Sequence, residues 1–304
     1  MQTFVPDSGF VRSAKLLDDR RLGKQRVETF QILRALVWPS YGWKNHPATA
    51  MWRGFTPALV AYGVAMCGEW AARGHTEALA PQLLEYSGGR NDTFAHLRDH
   101  GLLPPWLGRA DVHASHRRVL AEKAPDAYPP QWRGDGGYVW PTPVYPRWPL
   151  RTADPAEVLP PVQAETLVEG ADNWDVLRLL HRGESVSTET ATPSTIVAAS
   201  LVRPGLTAVI LDADPVPDDE EPTPAAIQEV AKAPTPSIAR QPTPEDREAM
   251  EAEAADPHRL RFFRRGQPIP ESDRYGLVIT VSDTTPAELQ RVPTLAVNGR
   301  GEPG

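Results

Sequence analysis

Apolar side chains recur at helical spacing as far as residue 123, an aromatic, irregular segment follows, and beyond Tyr145 the pattern degrades. Residues 1–10 read as extended, because Pro6 excludes helix there. Ser13 can cap a helix running to about Val37, in which Val27, Phe30, Leu33 and Val37 recur at spacings of three and four and form one apolar face. Arg21, Lys24, Gln25 and Glu28 share the opposite side by the same arithmetic. Trp38-Pro39-Ser40 stops the helix. Gly42, Asn45 and Pro47 make the next stretch a loop, with Pro47 suited to a first helical turn. A second long helix is expected over residues 56–73, with Leu59, Tyr62, Met66 and Trp70 on one side and Gly74 as its stop. Shorter helices follow near 77–86 and 93–100, the latter ended by Gly101, and a last one over 110–123. The expected fold class is all-α: a compact helical domain with long loops over 1–145.

The rest of the chain reads differently. Asp172 can cap a short helix over 173–182. "STIVAASLV", the turn "RPG" and "LTAVIL" suggest one β-hairpin within 146–212. Residues 213–258 are acidic and carry Pro-Thr-Pro three times, at 222–224, 234–236 and 242–244, so a disordered or extended linker is expected. "YGLVITVSD" is a lone strand candidate in the tail 259–304.

Charge divides the chain in the same place. Residues 1–148 hold 18 Lys and Arg against 13 Asp and Glu, a net +5, and residues 149–304 hold 14 against 26, a net −12. Eight of the nine tryptophans fall in the first part and 20 of the 33 prolines in the second. A basic, aromatic-rich half joined to an acidic, Pro-rich half points to a nucleic-acid-facing domain with a solubilising or regulatory tail. Cys67 is the only cysteine, which excludes an intrachain disulfide or a multi-cysteine zinc site, and its apolar surroundings place it in the core. No stretch approaches the ~18 apolar residues of a membrane span, and the N-terminus lacks the pattern of a signal peptide. A cytoplasmic monomer is expected.

Three groups of residues carry candidate chemistry. Arg20, Arg21, Lys24 and Arg26 on the first long helix can neutralise phosphates, as can Lys44 and the pair Arg117 and Arg118 in "SHRR". The bland alternative is a solvated helix face with Lys24–Glu28 as an i,i+4 pair. Trp132, Tyr138 and Trp140, among cations, can stack on unpaired bases or seal the helical core. His96 with His100, and His113 with His116, have spacings that suit metal ligands on helices, with Asp92, Asp99 and Asp111 near in sequence. A metal-dependent hydrolase is therefore an alternative class.

Taken in order, "LLDDRRLGKQRVETFQIL", "YGWKNHP", "EWAARGH", "HASHRRVLAEKAPDAY" and the terminal Trp/Tyr cluster resemble the pyrimidine-dimer DNA glycosylase family, whose founding member is the phage endonuclease V. The opening "MQTF" with "RLGKQRVE" and "NHP" is closer still to an actinobacterial branch. The resemblance covers residues 1–142. It implies a compact all-α fold, a double-stranded DNA partner with a damaged base, and base excision without metal or cofactor. It also implies that an N-terminal α-amine attacks the sugar C1′, forms a Schiff base and can cut the strand by β-elimination. An α-amine has a reference pKa of about 7.7–8.0, so part of it is unprotonated at neutral pH, whereas an ordinary lysine near 10.4 needs desolvation first. By the resemblance Glu28 is the catalytic carboxylate, flanked by cations that hold the phosphates, and His46 of "NHP" orients the lesion or the second helix. Gln2 is too bulky for ready removal of the initiator methionine, so the nucleophile falls to the amine of Met1, with Lys24 and Lys44 as substitutes. A DNA-binding module of the same fold without catalysis is the remaining alternative.

Overall fold

The computed structural model describes residues 1–145, 157–222, 240–255, 258–281 and 285–298. Two compact units emerge. The first comprises Met1–Leu97, Trp106–Pro141 and Val216–Asp256; the second comprises Arg98–Pro105, Thr142–Pro215 and Pro257–Gly304.

The first unit is helical. Helices α1 (Phe10–Leu16), α2 (Asp19–Val37), α3 (Pro47–Ala50), α4 (Thr56–Ala72), α5 (Ala80–Leu84), α6 (Phe94–Asp99) and α7 (Ala110–Lys123) follow one another. The expected single helix from Ser13 to Val37 is broken at Leu17. Asp18 takes extended backbone and its side chain accepts from Arg21 N, so a new helix starts there. Leu22, Leu33 and Val37 of α2 are buried, and the helix packs with α4, whose residues Ala58 to Gly68 are all buried. The two helices meet closely at Gly63, where a Cβ would sit 2.8 Å from Thr29 Cγ2. A side chain at 63 would push the helices apart.

The second unit overturns the all-α expectation. It contains a five-stranded, wholly parallel sheet in the order β1-β5-β4-β2-β3, so the protein is mixed α/β. The strands are β1 (Val186–Thr188), β2 (Leu206–Leu211), β3 (Leu260–Arg264), β4 (Tyr275–Thr280) and β5 (Thr294–Val297). Helices α8 (Pro161–Leu167), α9 (Trp174–His181) and α10 (Pro193–Leu201) belong to the same unit. The expected β-hairpin does not form. "STIVAASLV" lies in α10, because Thr192 accepts from Thr195 N as an N-cap and Pro193 occupies the first turn. "LTAVIL" is β2, buried at every position between β3 and β4. The lone strand expected at "YGLVITVSD" is β4, paired on both sides; Ser282 and Asp283 lie outside the described residues. Leu206, Ile210, Phe263 and Val278 share one core. The outer side of β3 is capped locally, where Phe262 N donates to Gly101 O at 2.8 Å.

The segment 213–258, expected as a disordered linker, is structured in the parts described; residues 223–239 and 256–257 lie outside them. Asp219 Oδ2 accepts from Val11 N at 2.8 Å, and Glu220 pairs with Lys15 at 2.6 Å. Helix α11 (Pro244–Ala254) begins with a Thr243–Asp246 capping box. Asp246 also pairs with Arg240 at 2.8 Å, and Met250 Sδ accepts from Trp38 Nε1 at 3.3 Å. These contacts cover a tryptophan that would otherwise face water, and they overcome the local Pro-rich composition.

Met250→Ala is expected to destabilise the full chain by about 2 kcal/mol in urea unfolding, through loss of the sulfur contact and a cavity beside Trp38. A true linker residue would give no change.

Candidate active site

The site is built on a buried N-terminal strand in the sense of extended backbone alone, for residues 1–5 join no sheet. Thr3 and Val5 are wholly inaccessible, and Gln2 and Phe4 nearly so. Burying extended backbone requires partners for each polar group, and residues of α2, α4, α7 and the turn after α3 supply them. Gln25 Oε1 on α2 accepts from Phe4 N at 2.7 Å. Tyr62 Oη on α4 lies 2.8 Å from Phe4 O and 2.9 Å from Gln25 Oε1. Trp52 Nε1 donates to Thr3 Oγ1 at 2.9 Å. On α7, His113 Nδ1 donates to Val5 O at 2.7 Å, and Arg117 donates to Pro6 O.

These contacts settle the histidine tautomers. Val5 O can only accept, so His113 carries its proton on Nδ1, and its Nε2 accepts from Gly108 N at 2.9 Å. Val5 N can only donate, so His116 Nδ1 accepts, at 3.4 Å, and its proton sits on Nε2. Burial pushes the His116 imidazole down to about 3, with His113 adding to the shift. His113 is lowered too, by burial first. Both rings are neutral braces for the strand.

The strand delivers the Met1 amine to Glu28. Its nitrogen lies 3.6 Å from Glu28 Oε1, and the two side chains are only 5% and 8% exposed. Lys24 Nζ approaches the same oxygen at 3.4 Å from a side chain that is 71% exposed. Gln25 Nε2 donates to Glu28 Oε2 at 3.0 Å. One amide thus holds both the strand, through Phe4 N, and the carboxylate.

His46 caps α3, its Nδ1 accepting from Ala48 N at 3.1 Å. Burial lowers its pKa first, then the positive charge of the Met1 amine, while Glu28 opposes. Its ring stands 6.3 Å from Trp140, which stands 5.0 Å from Tyr138. Burial, then Glu28, raises the Tyr138 phenol. Met1, Lys24, Glu28, His46, Tyr138 and Trp140 therefore share one electrostatic and aromatic neighbourhood.

The other cations named from sequence are mostly engaged elsewhere. Arg26 forms a buried ion pair with Glu77 and stacks over Trp70 at 4.7 Å. Arg21 bonds Asp18 at 2.9 Å and Lys123 O at 2.9 Å. Arg118 clamps Gly136 O and Gly137 O. Trp132 stacks on Tyr128 at 5.5 Å. Arg20 and Lys24 are exposed, and Lys44 is half-buried with its carbonyl accepting from Arg53. Arg21, Arg26, Arg117 and Arg118, expected to hold phosphates, each donate to or pair with protein acceptors in this arrangement. The histidine pairs do not converge either. His113 and His116 serve the strand, and among the described residues no group of three His, Cys, Asp or Glu could hold a metal ion.

The sequence places Gln25 on the helix face without a role and Tyr62 on one side of the second long helix, and it gives no reading of Trp52. The only available signal was an amide three residues before Glu28, on the same helical face. The acceptor on Phe4 is a long-range partner that no local pattern announces.

Residues 1–80 match the family model for pyrimidine dimer DNA glycosylase, a span that contains Met1, Glu28 and His46. This is the family that the sequence motifs resemble, matched over the first 80 of the 142 residues to which that resemblance extends. No curated protein and no solved structure matches the chain. Among the described residues no helix is long and apolar enough to cross a membrane.

Two outcomes are expected. Gln25→Leu leaves Phe4 N without its acceptor and should destabilise by about 2 kcal/mol in urea unfolding. Acid should destabilise through His116. The unfolded chain takes up a proton near pH 6.5, whereas the folded one resists until about pH 3. Stability should therefore fall as pH drops through that window, by about 1.4 kcal/mol per pH unit for this ring. His116→Gln should flatten the slope of thermal midpoint between pH 6.5 and 5, a range above most carboxylate titration.

Proposed function

We propose that the chain is a base-excision DNA glycosylase with abasic-site lyase activity, acting on damaged pyrimidines in double-stranded DNA. The observation that carries the proposal is the Met1 amine fixed 3.6 Å from Glu28 in a nearly buried setting. An amine and a carboxylate so placed can exchange a proton, which leaves the nitrogen lone pair free to attack. The amine attacks C1′ of the damaged nucleotide, the C1′–N bond breaks, and its electron pair leaves with the base, which takes a proton. The nitrogen lone pair then opens the sugar by breaking C1′–O4′, O4′ takes a proton, and a cationic imine remains. Glu28 faces that cation and stabilises it as it forms. Loss of a C2′ proton expels the 3′ phosphate, and water hydrolyses the imine to regenerate the amine.

Gln25 fixes Glu28, and the strand bonds fix the amine, so the two are aligned before DNA arrives. His46, kept neutral by burial and by the amine's charge, can accept a proton or a hydrogen bond at the same place. Arg20 and Lys24 are exposed cations for flanking phosphates.

One observation favours a second nucleophile. Lys24 Nζ lies as near to Glu28 as the Met1 amine does, and on an exposed side chain.

Borohydride trapping on DNA with an abasic site or a cyclobutane dimer tests both. The expected adduct maps to the N-terminal peptide; an adduct at Lys24 selects the second nucleophile. Binding without any adduct would reduce the protein to a DNA-binding module. Glu28→Gln should keep DNA affinity and slow base release by about a hundredfold or more. Unchanged turnover would remove Glu28 from the reaction.

A further inference from the structure

Trp43 is the most exposed large apolar side chain among the described residues, with 62% of its surface open. Its backbone sits at φ 69°, in the left-handed region that bulky residues rarely occupy. Exposed indole and strained backbone are each unfavourable alone, and such combinations persist where neighbouring structure enforces them. Here it does. His46 N donates to Trp43 O at 3.1 Å, and the buried Arg53 donates to Lys44 O at 3.1 Å. The indole meets the His46 ring edge-on at 5.6 Å. From His46 the ring contacts continue to Trp140, Tyr138 and Phe4, whose backbone belongs to the strand that carries the amine. An aromatic run therefore joins solvent to the reacting end, and Trp43 is its open terminus.

A nucleotide drawn out of a duplex leaves a gap in the base stack, and an apolar side chain driven into that gap offsets the unstacking. We infer that Trp43 fills the gap left when the damaged nucleotide moves to the Met1 amine. The inference rests on the glycosylase reading above. Tyr138 and Trp140 are less suited to the gap. Both are half-buried and packed against other rings, which fits them to line the place where the extruded sugar or base arrives. The rigid loop and the enforced backbone hold the indole outward before DNA is met, so insertion needs little reordering.

The test compares borohydride trapping rates on one abasic site placed in a duplex and in a single strand. Wild type, Trp43→Ala and Trp43→Phe are each measured as the full chain. A single strand has no stack to repair. The expected result is a fall of about tenfold in the duplex-to-single-strand rate ratio for Trp43→Ala, and substantial recovery in Trp43→Phe. A fluorescent adenine analogue, 2-aminopurine, opposite the site reports insertion without any chemistry. Its signal should change when wild type binds and stay flat with Trp43→Ala. An unchanged ratio with an unchanged fluorescence response would overturn the inference, as would equal loss on both substrates. Wild type that traps on neither substrate would sink the glycosylase reading itself, a different result from a ratio that fails to move.

Discussion

The side-chain amide of Gln25 is the joint on which the site depends. Its oxygen takes the Phe4 N–H and its nitrogen supports Glu28, so strand and helix are locked in one register. The amide is wholly buried, where a polar group must be fully engaged to be tolerated. Tyr62 shares the oxygen side from α4, and the two imidazoles of α7 hold Val5 from the far side. These braces are neutral; the cationic Arg117 adds a bond to Pro6 O. The charged groups, amine and carboxylate, are left to face each other.

The positive charge of the first half divides into two uses. Arg21, Arg26, Arg117 and Arg118 cross-link the fold by donating to carbonyls or carboxylates. For Arg26 and Glu77 the pairing is nearly dry, and neither could leave without stranding the other. Arg20 and Lys24 stay at the surface. Asp219 and Glu220 further neutralise Arg12 and Lys15 on α1, and the Asp218 carbonyl accepts from Arg12. The field felt by an approaching polyanion is thus narrower than the formal charge of the segment suggests.

The helical half was legible because its elements are long, amphipathic and capped by recognisable residues. Ala110–Lys123 matches its expected span, and Gly74 ends α4 at φ 85°. The break at Asp18 escaped notice because Leu16, Leu17 and Leu22 keep an apolar rhythm across it. The sheet was not legible for a different reason. Its strands are three to six residues long, and buried parallel strands lack the alternation that marks a half-exposed strand. β3 reads "LRFFR", whose arginines look like solvent positions, yet Arg261 is buried with its guanidinium on the carbonyls of His258 and Leu260. At the site, Met1, Glu28 and His46 were named from the sequence, but the groups that hold the N-terminal segment beside Glu28 are long-range partners: Gln25 lies 21 positions from Phe4, Trp52 49 from Thr3, Tyr62 58 from Phe4, and His113 and His116 108 and 111 from Val5.

The chain's path has a temporal consequence. It leaves the helical unit at Pro141, contributes three helices and two strands to the sheet, returns for Val216–Asp256, and departs again. Synthesis from the ribosome therefore cannot finish one unit before starting the other. The nascent N-terminal half must wait for Asp219 to reach α1 and for Met250 to reach Trp38, more than 200 residues later. Closures of such sequence separation are slow, because loop entropy is lost before the contacts form. During that wait an indole and a helix start stand uncovered.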